Sequence, residues 1–220
     1  MLTLYGIISP LINPYFALAI SVLLCIGLSY TLGSINFALV ISKVFYKDDI
    51  RNYGSGNAGM TNMLRTYGKK AAAATLICDI LKAVFSVWLG LWVFGEIGAY
   101  IAGLFCVLGH IFPIFFKFKG GKGVATVAAM VLTLNPLAFL ILFTIFVIVV
   151  AATRYISLGS VLCMLLYPAL TYALGGVGFP TLFSFAVAAI VIFMHRSNIK
   201  RLLNGTENKV SFSNKNKDKK

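Results

Sequence analysis

Negative charge is scarce in this sequence: six Asp and Glu stand against nineteen Lys and Arg, a formal net charge of +13. Charge of either sign is thin, at 11% of 220 residues, while 60% are apolar. Soluble domains carry roughly 25% charged and 45–50% apolar residues. A water-soluble globular fold is thereby excluded, and lipid is the natural solvent. The four cysteines, Cys25, Cys78, Cys106 and Cys163, each sit in an apolar run without a Cys-x-x-Cys pair. They read as small buried hydrophobes, not ligands or disulfides. Two histidines far apart, His110 and His195, with few and scattered carboxylates, give no metal site. No Gly-Lys-Ser/Thr follows the glycine-rich stretches, so nothing supports ATP or GTP use. The positive balance is not a nucleic-acid signature either, because most cations lie between apolar runs. Such loops mark the cytoplasmic side of a membrane protein.

What the chain does have is long apolar runs. A hydrocarbon core of ~30 Å needs ~20 helical residues. Candidate spans are 15–42, 71–94, 97–116, 157–174 and 179–194. A further run over 124–152 is interrupted by Asn135-Pro136, where proline removes a backbone donor and disfavours helix before it. Lys and Arg gather in 43–70, 117–122, at Arg154 and in 195–220, and only Lys82 lies elsewhere. Keeping all these segments on one side requires two short helices in 124–152, which gives seven crossings. The expectation is an all-α polytopic helical bundle, with the N-terminus outside and the C-terminus cytoplasmic. One transmembrane domain is expected over 1–203, with the first apolar run retained as a span. A polar, lysine-rich and disordered tail is expected over 204–220.

Three polar segments carry the chemistry. Gly54-Ser55-Gly56-Asn57-Ala58-Gly59-Met60-Thr61-Asn62 permits positive φ and aims backbone N–H groups at an anion. Arg51 and Arg65 flank it, and arginine suits bidentate phosphate contact. Gly120-Gly121-Lys122-Gly123 precedes the next apolar run, so Lys122 sits at an expected helix N-terminus, where anions are favoured. His195 and Asn198 are three apart and share a face if the last helix continues. Ser34 lies near the end of the first span. Asp79 and Lys82 are three apart inside the second, and their expected role is mutual pairing that supports the bundle.

Taken together, Gly33-Ser34-Ile35, Asp49-Ile50-Arg51, Gly54 to Asn62, Asp79-x-x-Lys82, Gly109-His110-x-Phe112-Pro113, Lys119 to Thr126 and His195 to Glu207 resemble bacterial acyl-phosphate:glycerol-3-phosphate acyltransferases. The motifs come in the family's order and span 33–207. Asn36 stands where the family commonly has proline. The resemblance implies acyl transfer from acyl phosphate to a hydroxyl of sn-glycerol 3-phosphate, releasing lysophosphatidate and phosphate in phospholipid synthesis. No cofactor is implied, and the partners are the two substrates and the lipid bilayer. It implies that Ser34, Arg51, Lys122, His195 and Asn198 form the catalytic set. Gly54, Ser55, Gly56, Asn57, Gly59, Thr61, Asn62, Gly120, Gly121, Gly123 and Glu207 are implied in substrate binding. The expected place is the inner (plasma) membrane, with the active site facing the cytoplasm.

Overall fold

A computed structural model describes residues 3–210, and among them the only regular structure is helical. The chain packs as two compact units, Met1–Pro136 and Leu137–Lys220. Of the tail expected from Asn204, residues 211–220 lie outside the described part.

The first unit holds α1 (Leu4–Ile8), α2 (Pro14–Ser34), α3 (Phe37–Phe45), α4 (Met60–Tyr67), α5 (Lys69–Ile111) and α6 (Val124–Leu134). Short 3-10 turns lie at Ile50–Asn52 and Ile114–Phe116. Asn13 opens α2 by accepting the Tyr15 N–H at 2.9 Å, and Pro14 takes the first helical position, where its missing donor costs nothing. The buried face of α2 is a ladder of small residues at every fourth position: Ala17, Ser21, Cys25, Ser29 and Gly33. Lipid offers no hydrophobic drive between helices, so small side chains gain attraction by letting backbones approach. A Cβ on Gly33 would collide with the Cys106 backbone, and one on Gly109 with Tyr30 O and Ser34 N. These two glycines set the contact of α2 with α5.

α5 is not one rod. Phe94 (φ −140°, ψ 26°) and Gly95 (φ 66°, ψ −152°) leave helical geometry. Lys82 and His110 would stand about 42 Å apart along a straight helix, yet Lys82 Nζ lies 3.0 Å from His110 Nδ1. The chain therefore folds back at Gly95 into two arms, 69–93 and 96–111. The arms close on Gly90 and Gly98, where a Cβ on either would meet the other's carbonyl. Both arms fit the spans read at 71–94 and 97–116, although the second stops helically at Ile111.

The run 15–42 falls within one candidate span, Pro14–Phe45, but it is not a single helix, because α2 ends at Ser34 and α3 starts at Phe37. Asn36 caps α3 by accepting the Leu39 N–H at 3.1 Å, so a polar residue starts a new helix inside an apolar run.

The second unit holds α7 (Pro136–Thr153), α8 (Ile156–Gly175), α9 (Phe179–Met194) and α10 (Arg196–Leu203). α8 and α9 pack together, joined by a Thr171–Ser184 hydroxyl contact of 2.9 Å. α9 and α10 meet at 60°. Among the described residues, Pro14–Phe45, Lys69–Phe116, Pro136–Thr153 and Ile156–Gly175 are long and apolar enough to cross a bilayer, and the bent α9–α10 pair makes a fifth candidate.

Candidate active site

Ser34 closes α2 fully buried, and its Oγ accepts the Ile114 N–H at 3.3 Å. The carbonyls on either side of it, Gly33 O and Ile35 O, have lost helical partners at the break. Lys82 Nζ donates to them at 3.1 and 2.9 Å and lies 3.0 Å from His110 Nδ1. His110 Nδ1 in turn lies 3.5 Å from Asp79 Oδ1. Asp79 Oδ1 sits 2.7 Å from the same Nζ, closer than the two carbonyls or the histidine. The pairing expected of Asp79 and Lys82 is present, and His110, read from the sequence only as part of the Gly109-His110-x-Phe112-Pro113 motif, is its third member.

The glycine loop is fastened by Asn62, which is buried at the start of α4. Its Nδ2 donates to Ile50 O at 3.1 Å and Tyr53 O at 2.9 Å, while its Oδ1 accepts the Ser55 N–H at 3.0 Å. Asn62 thus shapes the loop from within. Gly54 and Gly56 take φ of +57° and +70°, where side chains are disfavoured, and both are exposed beside Ser55. Gly56 N–H donates to Tyr53 O and Gly59 N–H to Asn57 O. Gly59 is the N-cap of α4, and no side chain caps it, so Thr61 in the first turn sits at an uncapped helix start.

Arg51 lies in the 3-10 turn after Asp49. Its Nε and Nη2 donate to Asp49 at 2.9 and 2.7 Å, and its Nη1 donates to Phe116 O and Lys119 O, both at 3.0 Å. The Arg51 guanidinium holds the Asp49 carboxyl below the usual carboxylate range, outweighing the opposing effect of burial. It also ties down a segment in which Lys117 and Phe118 adopt left-handed φ of 58° and 56°.

The Gly120–Gly123 turn, whose glycines the resemblance implies in substrate binding, is packed against its neighbours. Gly120 N–H donates to Ile111 O at 3.0 Å and Gly121 N–H to His110 O at 3.1 Å, so both are engaged in backbone pairing. A Cβ on Gly121 would strike the His110 ring and crowd Ala58 O. The role of Gly121 is close approach: it seats the turn against the glycine loop. Lys122 follows half-buried, and Gly123 (φ +82°) begins α6 without a side-chain cap. Asn36 Nδ2 donates to Ala58 O at 3.2 Å, which closes the ring of segments. The first unit thus brings together Ser34, Arg51, the 54–62 loop and the 120–123 turn.

In the second unit the last helix does not continue straight through His195, as the shared-face reading assumed. His195 (φ −95°, ψ 4°) is the joint between α9 and α10, though Ile199 N–H still reaches its carbonyl at 2.8 Å. The buried His195 donates from Nδ1 to Val191 O at 2.7 Å, so in the neutral ring Nε2 is the acceptor. Asn198 Nδ2 and Ser157 Oγ donate to Glu207 Oε1 at 2.7 and 2.8 Å, and Arg201 Nε to Oε2 at 2.7 Å. Burial pushes the Glu207 carboxyl up, but these three donors outweigh it and hold it below its ordinary range. With both oxygens engaged, Glu207 orients Asn198 and Arg201 in this structure. Ser157, a member of that cluster, carried no signal in the sequence.

Apolar helices of bilayer length, ending in glycine turns and cations, define a helical integral membrane protein. Its residues 23–205 match the family model described as glycerol-3-phosphate acyltransferase. A glycerol-3-phosphate acyltransferase of Thermoanaerobacter pseudethanolicus is 47% identical over 183 residues, covering 83% of this chain and 92% of the relative. Glycerol-3-phosphate acyltransferase 2 of Bacillus anthracis is 45% identical over 188 residues, covering 86% and 98%. The crystal structure of PlsY (YgiH), an integral membrane glycerol 3-phosphate acyltransferase in its glycerol 3-phosphate form, superposes with a TM-score of 0.82 at 36% identity, covering 87% of this chain and 96% of that one. Its lysophosphatidic acid form gives 0.79 at 35% identity. The chain belongs to the glycerol-3-phosphate acyltransferase family.

Proposed function

We propose that this protein transfers an acyl group from acyl phosphate directly to a hydroxyl of sn-glycerol 3-phosphate, with no covalent acyl-enzyme, in phospholipid synthesis. The substrate oxygen bonds to the acyl carbonyl carbon as the bond from that carbon to the phosphate oxygen breaks, and inorganic phosphate leaves. The hydroxyl proton passes to His195 Nε2 or to the substrate's own phosphate. One observation carries the reading: Gly121 packs on Ala58 O, which draws the uncapped N-termini of α4 and α6 together. Free N–H groups and aligned peptide dipoles favour anions at such ends.

In this proposal the 54–62 loop, through Gly54, Ser55, Gly56, Asn57, Gly59 and Thr61, holds the acyl phosphate. Ser34, Arg51 and Lys122 hold glycerol 3-phosphate, and His195 and Asn198 orient its hydroxyl. Acyl phosphate is already activated, so alignment supplies most of the acceleration; well-oriented reactants gain about 7–11 kcal/mol. The proposal includes seven crossings of the inner (plasma) membrane with the active site cytoplasmic. Seven follows if Pro14–Phe45 crosses once, the α5 hairpin twice, and α6 to α9 once each.

The test is purified protein in detergent with acyl phosphate and glycerol 3-phosphate, followed by phosphate release and lysophosphatidate formation. Both products in equal amounts are expected. A radiolabelled acyl chain trapped on the protein without glycerol 3-phosphate would overturn direct transfer, and activity with acyl-coenzyme A alone would overturn the donor. Arg51→Ala is expected to weaken glycerol 3-phosphate binding sharply; an unchanged affinity removes Arg51 from that role.

A further inference from the structure

The buried Asp79–Lys82–His110 cluster does more than neutralise itself. Lys82 Nζ grips Gly33 O and Ile35 O, the two carbonyls that bracket Ser34. The same Nζ lies 3.0 Å from His110 Nδ1, and the His110 backbone carbonyl takes the Gly121 N–H. The His110 ring fills the space where a side chain on Gly121 would stand. An unbroken chain of contacts therefore runs from Ser34 through Lys82 and His110 to the residue before Lys122. Every member lies within the first unit. Lys82 and Asp79 have side chains only 2% exposed, so neither meets substrate directly.

We propose that Lys82 is a positioning residue: held by Asp79 and His110, it fixes the orientation of Ser34 and couples it to the Lys122 turn. This rests on the functional reading above, in which Ser34 and Lys122 hold glycerol 3-phosphate. The chemistry favours lysine for the task. A tetrahedral ammonium serves three acceptors in different directions, whereas the planar fork of arginine presents its donors in one plane. Charge alone would neutralise Asp79 equally well from either residue, so the two roles separate on substitution.

The experiment is a double-mutant cycle on glycerol 3-phosphate affinity, which remains readable in catalytically dead variants. The detergent-purified full chain is titrated with glycerol 3-phosphate by calorimetry as wild type, Ser34→Ala, Lys82→Met and the double variant. Lys82→Met is expected to weaken binding about ten-fold in the wild-type background and less than about two-fold further in Ser34→Ala, since coupled contacts are non-additive. Equal losses in both backgrounds, or no loss, overturn the proposal. Where Lys82→Met fails to fold, as read by size exclusion and thermal unfolding, Asp79→Asn takes its place in the cycle, because it removes the negative charge and keeps the Gly33 and Ile35 carbonyls as acceptors. Lys82→Arg adds a second reading: recovered thermal stability without recovered affinity is expected, and recovery of both reduces Lys82 to a counter-charge and overturns the positioning role. A wild type that does not bind glycerol 3-phosphate overturns the functional reading itself, while binding with additive losses overturns only this inference.

Discussion

Asp49 lies two residues before Arg51 and Asp79 three before Lys82, and both ion pairs close at 2.7 Å. Their surroundings differ: the Asp49 side chain is 22% exposed, and that of Asp79 2%. Asp49 accepts three N–H bonds from Arg51, one of them from its backbone. Asp79 Oδ1 sits 2.7 Å from a Lys82 ammonium that also donates to two backbone carbonyls and lies 3.0 Å from His110 Nδ1. In the 3-10 turn the carboxylate aims a cation. Inside the helix it balances one that two backbone carbonyls also hold. The same residue types thus orient a surface loop in one place and seal a broken helix in the other.

The largest expected effect comes from breaking the inner pair. Lys82→Met leaves Asp79 buried without compensation, a loss of about 3–5 kcal/mol. Denaturant unfolding in detergent reads it, and the double variant Asp79→Asn/Lys82→Met should recover part of the loss. A single variant as stable as wild type would erase the distinction between the two pairs. Next is Gly121→Ala, whose methyl must displace the His110 ring, at about 1–3 kcal/mol. Equal thermal midpoints would show that the ring moves aside freely.

The cluster around Glu207 stands between the two extremes, since its carboxylate is 5% exposed but hydrogen-bonded on both oxygens. Glu207→Gln should destabilise by about 1–2 kcal/mol, as bonds to a charged acceptor weaken to neutral ones. The folded carboxyl titrates below its ordinary value. Its contribution is therefore complete above about pH 4.3, the unfolded value, and disappears as pH falls through the lower folded value. The stability gap between wild type and Glu207→Gln should close over that acid window, and a gap that widens there would reverse the sign of the argument. Asp49→Asn is the smallest, below about 1 kcal/mol, because a partly exposed pair is screened by solvent. A loss as large as that of Lys82→Met would place Asp49 in the same category as Asp79.

Much of the fold was legible residue by residue. Apolar runs located the helices, and the gap between 94 and 97 and Asn135-Pro136 marked real interruptions. The break at Ile35-Asn36 was not legible, since the run 15–42 is apolar enough to read as one span. Of the site, the Asp79–Lys82 pair could be read from its spacing, because three residues along a helix share a face. His110 could not, as nothing in an apolar run announces a partner 28 residues back. Gly120 and Gly121 illustrate a subtler limit. Their composition promises exposed N–H groups, but whether those groups face a ligand or pair with His110 O and Ile111 O depends on what lies opposite.

Sequence by itself determined the solvent, the helical class, the segregation of cations and the family to which the chain belongs. Tertiary structure alone decided that Lys82 reaches the carbonyls of residues 49 and 47 positions earlier. The physical reason is range. Hydropathy and helix capping act within a few residues, whereas a broken helix in lipid must find partners for its open carbonyls wherever the packed chain brings a donor.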